Sequence, residues 1–176
     1  MNFESYGPFE LDWEDENRWR ANFWNAIEQQ EKYEGLSSAI GCYVFCLRYG
    51  DKFVPWYVGQ TINKDGFTGE VFQSHKVDHY NAIMAIKPQH KPHFMFFPLM
   101  TAEHWNYSKN RSQGAAQIDW LETTLISMAY AANPEIRNTS KTMYTRSIYV
   151  NGIMGEHSYG RRTNDARAAT RMFKLD

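Results

Sequence analysis

Residues 41–59, GCYVFCLRYGDKFVPWYVG, decide how this chain folds. Ser37 to Tyr49 reads as a strand, Tyr49-Gly50-Asp51-Lys52 as a tight turn, and Phe53 to Gly59 as the returning strand of a β-hairpin. Pro55 has no N–H to give a ladder, so at least part of the return belongs at a sheet edge or a bulge. Cys42 and Cys46 are the only cysteines. Four positions apart on one strand, at about 3.3 Å per residue, they lie roughly 13 Å from each other and cannot bridge. They read as reduced thiols of a cytoplasmic protein.

Outward from the hairpin, the elements alternate between helix and strand. Leu11 to Glu34 carries Trp19, Phe23 and Ile27 at four-residue spacing, with Asp12, Glu14, Asp15 and Glu16 crowding its start. This predicts an amphipathic helix closed by Gly35, its acids favoured by the helix dipole. Beyond the hairpin, TINKDG is a polar loop and Phe67 to Ile86 reads as one or two helices interrupted near Ser74-His75-Lys76. The two prolines of KPQHKPH predict a loop over residues 87–93, and His93 to Met100 a third strand. Gln113 to Ala132 is the strongest helix, with Ile118, Leu121, Leu125 and Met128 at spacings of three and four and Pro134 just beyond. A second hairpin around Val150-Asn151-Gly152-Ile153 and a helix from Asn164 to Phe173 complete the pattern. The expectation is an α+β domain: a small antiparallel or mixed three-stranded sheet flanked by helices. Residues 37–140 form its core, 1–36 a helical N-terminal extension and 141–176 a basic C-terminal one.

The chain's 176 residues suit one domain, and 43% apolar against 22% charged residues excludes a disordered chain. The apolar runs fall far short of the roughly 20 residues that cross a bilayer, and MNFESYGPFE lacks a signal peptide's basic start. A cytoplasmic location with no membrane partner is therefore expected. The net charge of −1 hides an asymmetry: residues 1–40 carry 9 acids against 3 bases, and residues 141–176 carry 7 bases against 3 acids. Arg161, Arg162, Arg167, Arg171 and Lys174 cluster in the basic end, which could meet a phosphate backbone or pair with the acidic N-terminal helix. The 16% aromatic content is explained first by core packing.

Two tripeptides, Gly41-Cys42-Tyr43 and Tyr57-Val58-Gly59, lie on the hairpin, with Glu122 in the apolar helical run WLETTLI and Asn133-Pro134 and Asn138 after it. In this order and spacing the residues resemble the GIY-YIG nuclease family over about Ile40 to Asn138. The resemblance implies divalent-metal-dependent hydrolysis of phosphodiester bonds, with DNA as the first expected partner and RNA as the second. It makes Tyr43 the candidate general base, Tyr57 its support, and Glu122 the main ligand of Mg²⁺ or Mn²⁺. Gly41 and Asn138 become structural positions, and Gly59 and Lys64 lie beside the nucleic acid. Independently of the resemblance, a carboxylate inside an apolar helical run is costly to bury unless it is paired or binds a cation.

The family's helical arginine has no counterpart, since residues 67–71 are FTGEV. Either Lys76, with His75 beside it, supplies the cation, or Glu70 shares the metal with Glu122, or the domain is a silent module that binds nucleic acid without cutting. On an unbroken helix, Glu70 and Lys76 would be about 240° apart, so the first alternative needs a helix break. His75/His79 and His90/His93 have spacings that a metal could use, but with no cysteine or acid at matching spacing a polar or phosphate-contact role is favoured over zinc. A protein-interaction domain built on the acidic, aromatic N-terminal helix is the third reading.

Overall fold

A computed structural model describes residues 2–13, 18–101, 106–143, 147 and 163–173. The chain divides into two compact units, residues 1–137 and 138–176. In the first, the sheet has four antiparallel strands: β1 (Tyr6–Glu10), β2 (Gly41–Tyr49), β3 (Lys52–Thr61) and β4 (Lys91–Pro98), in the order β1-β4-β2-β3. Its helices are α1 (Trp19–Glu28), α2 (Ser74–Ile86) and α3 (Arg111–Ala132). The described part of the second unit includes α4 (Asn164–Phe173), and the anticipated hairpin at 150–153 lies outside the described residues.

The expected hairpin is present, with Tyr43 opposite Gly59 and Phe45 opposite Tyr57. β3 is an edge strand, and its register shifts opposite Phe45 and Cys46, next to Pro55. The fourth strand corrects the three-stranded expectation. Gly7 and Pro8 read as breakers, but β1 accommodates them as a register shift between Tyr6 and Phe9 while pairing with the outer edge of β4. The Phe9 ring meets Tyr33 at 5.0 Å and Phe96 at 6.0 Å. The N-terminal segment thus supplies both a strand and a helix to the first unit.

Other boundaries also move. Helix α1 starts at Trp19 with no acid in its first turn, so the expected dipole pairing is absent for Asp12, while Glu14, Asp15 and Glu16 fall outside the described residues. Residues 67–73 form turns rather than helix, and α2 begins only after an extended Gln73. Pro92 lies inside β4, because the register pairs it with Leu47 and the ladder there tolerates a missing donor.

Alternation along β2 splits its side chains between two cores. Tyr43, Phe45 and Leu47 join Phe94 and Phe96 in an aromatic core closed by Phe23, Trp24 and Ile27 of α1, Tyr80 and Ile83 of α2, and Phe67 and Phe72. Val44 and Val58 pack with Ile126 and Ala129 of α3 on the opposite face, and Cys42 packs with Ile118. Both cysteines are free and buried, and burial pushes the Cys46 thiol up to about 12. Helix α3 begins at Asn110, whose side chain accepts from the Gln113 N–H at 3.2 Å. After α3 the chain crosses the outer margin of β3: Asn133 Nδ2 donates to the Pro55 carbonyl at 2.9 Å, and the Arg137 N–H donates to that of Trp56 at 2.8 Å.

Candidate functional site

The sheet brings the two tyrosines together from the strand register upward. Tyr43 points to the α2 side of β2, and its ring lies over Gly59. A Cβ at Gly59 would sit 2.5 Å from the Tyr43 hydroxyl oxygen, so glycine there makes room for the phenol. Gly41 serves a similar end, since a Cβ would run into the Phe97 carbonyl of β4. Tyr57 lies on the same face, its ring centroid 6.3 Å from that of Tyr43.

Lys76 reaches this pair from the first turn of α2. It opens the helix's buried stripe, Lys76, Tyr80 and Ile83, and only 5% of the residue is exposed. Its Nζ donates to the Tyr43 hydroxyl at 2.8 Å, lies 5.2 Å from that ring's centroid, and forms an ion pair with Glu70. The break at Gln73 lets residues 70 and 76 meet, and the Gln73 amide ties it down, donating to the Gly69 carbonyl at 2.9 Å and to Glu70 Oε2 at 3.2 Å. The Tyr80 hydroxyl donates to the Val71 carbonyl at 3.1 Å, fastening the turn segment to α2.

Charge and burial act together on the phenols. Burial raises the Tyr43 hydroxyl well above the usual tyrosine range, with Tyr80, Tyr57 and Glu70 adding to the effect. Tyr57 is pushed up to about 12 by burial first, then by the carboxylates of Glu122 and Glu70. Glu122 acts on Tyr57 as a charge, while its helix, α3, packs against the face of the sheet opposite Tyr43. Both phenols keep their protons at neutral pH, and Tyr43 is fully buried. Glu122 is half-buried on α3.

His75 and Lys64 are exposed, and Gly59 is buried beneath Tyr43. In the second unit Asn138 is buried, Arg167 and Arg171 are exposed, and Arg167 donates to the Asn164 side chain at 2.9 Å. Arg161, Arg162 and Lys174 lie outside the described residues. Three residues of the centre had gone unassigned as a group: Glu70 as the partner of Lys76, Tyr80, and His79, whose exposed ring stacks on Tyr57 at 5.9 Å with 16° between planes. Starting α2 at Ser74 would have put Lys76, His79 and Tyr80 on neighbouring positions of one face.

Among the described residues no three His, Cys, Asp or Glu side chains gather as a metal cage, and no helix is long and apolar enough to cross a membrane. Comparison with family models, curated proteins and solved structures finds no match for this chain.

Proposed function

We propose that this protein is a divalent-metal-dependent endonuclease that hydrolyses phosphodiester bonds in DNA, a divergent relative of the GIY-YIG nucleases. One observation carries the reading: Lys76, buried and bonded to the Tyr43 hydroxyl, brings a cation from α2 to the first of the two hairpin tyrosines. The inner position of β2 and the effect of the Glu122 charge on Tyr57 support it.

Each residue then has a role set by its surroundings. Lys76, held by Tyr43 and Glu70, supplies a fixed positive charge toward the phosphate, as a point charge without an arginine's two-pronged geometry. Glu122 offers one hard carboxylate, which suits Mg²⁺ or Mn²⁺ held otherwise by water and phosphate oxygens. When bound, such an ion supplies Lewis-acid stabilisation of the phosphate's developing charge. Tyr57 orients water or phosphate. Tyr43, buried and proton-holding, positions Lys76 in this arrangement, and the proton of the attacking water goes to the exposed imidazole of His79 on the Tyr57 ring.

The test is nicking of supercoiled plasmid with Mg²⁺ or Mn²⁺. Wild type is expected to nick, Glu122→Ala to lose at least a hundredfold while keeping its circular dichroism spectrum, and Tyr43→Phe to lose activity through a displaced Lys76. A wild type that binds DNA but stays inert with either metal would replace this reading with the silent module, for which the missing arginine speaks.

A further inference from the structure

The hairpin end remote from this site is built from exposed aromatic rings and cations. Tyr49 is 68% exposed and stacks on His90 at 5.0 Å with 26° between planes. On the other face of the hairpin, where the register sets it opposite Arg48, Phe53 is 41% exposed, with the Arg48 guanidinium 5.8 Å from its ring centroid and the His93 ring meeting it at 5.1 Å. Core packing does not explain these rings, because water reaches them.

The charges around them are mostly of one sign. Arg48, Lys52, Lys87 and Lys91 belong to this end, against Asp51 in the turn and Glu10, which pairs with Lys91 at 2.6 Å. Arg48 and Lys91 are direct cross-strand partners. Aromatic faces beside cations are what an unpaired nucleic-acid strand uses: bases stack on rings of any sequence while phosphates meet lysine and arginine.

The strand fixes how far this surface lies from the candidate site. Tyr49 follows Tyr43 by six residues on the same face of β2, about 20 Å at roughly 3.3 Å per residue. Helix α2 spans the same interval, from Lys76 beside Tyr43 to the segment ending in His90 beside Tyr49. We infer that Tyr49, with Lys52 and Lys87, binds an unpaired DNA strand, and that the substrate of the nuclease site carries such a strand about 20 Å from the bond cut. The second clause rests on the proposed nuclease function, whereas the first does not.

The experiment separates the two. Fluorescence anisotropy in EDTA, with a 20-residue single-stranded oligothymidylate and a blunt duplex of equal length as probes, reads binding without cleavage. Wild type is expected to prefer the single strand. Tyr49→Ala should weaken that binding roughly fivefold or more, as loss of one stacking partner does, and leave the duplex within twofold. Tyr49→Phe, which keeps the ring, should bind like wild type, and Lys52→Gln should lower the salt slope by about 0.7. Equal binding of the single strand by wild type and Tyr49→Ala, or a wild type that prefers duplex, would overturn the inference. Failure of wild type to nick plasmid would sink the nuclease reading and the second clause with it, and leave the strand-binding surface standing.

Discussion

Lys76 and Glu70 form an ion pair in which the lysine side chain is 7% exposed and the glutamate side chain 21%. Removing one partner from such a pair is costlier than removing both, because the survivor keeps its desolvation without its counter-charge. Glu70→Gln should therefore destabilise the protein by about 3 kcal/mol. Lys76→Met should cost less, since methionine suits the buried stripe of α2 and Glu70 retains some water. The double variant should lose less than the sum of the singles, with a coupling of about 1–3 kcal/mol in a urea-denaturation cycle; strict additivity would mean that the pair contributes nothing. This residue-scale arrangement was only half legible in the sequence. A cation near position 76 followed from the resemblance and the gap at 67–71, and a break was expected near Ser74 to Lys76, but no side-chain pattern marked Glu70 as the partner of Lys76.

At the scale of elements, the hairpin, the edge placement of β3 and the long helix α3 were readable because each has strong local signals: the turn residues, Pro55, and the apolar spacing closed by Pro134. Strand β1 was not readable, because Gly7 and Pro8 argue locally against a strand, and only the unpaired edge of β4 outweighs them. The join between α3 and β3 offers a prediction of its own. Asn133 donates to the Pro55 carbonyl and accepts from the Glu135 N–H at 3.1 Å. Asn133→Ala strands both groups beside a buried surface and should cost about 1–3 kcal/mol, read as a lower urea midpoint with an unchanged slope. A cost below 0.5 kcal/mol would show that water replaces both bonds.

For the molecule as a whole, the phenols set an alkaline limit. Tyr57 holds its proton to about 12 in the folded protein, whereas an unfolded tyrosine releases it near 10. Between those values the folded state binds more protons, so raising the pH favours unfolding; the contribution is complete below pH 10 and lost as pH climbs toward 12. Tyr43, also shifted upward, adds in the same direction. Absorbance at 295 nm followed beside circular dichroism should show both phenolates appearing only as the fold is lost, with Tyr43→Phe leaving the earlier, reversible tyrosine titration unchanged. A reduced amplitude in that early phase would mean that Tyr43 is open to solvent. The segment from Asn133 to Arg137 has a consequence for behaviour at high concentration. By occupying the outward carbonyls of Pro55 and Trp56, it denies other molecules a template for strand addition, so that flank of the protein is guarded against fibril growth even where the chains are crowded.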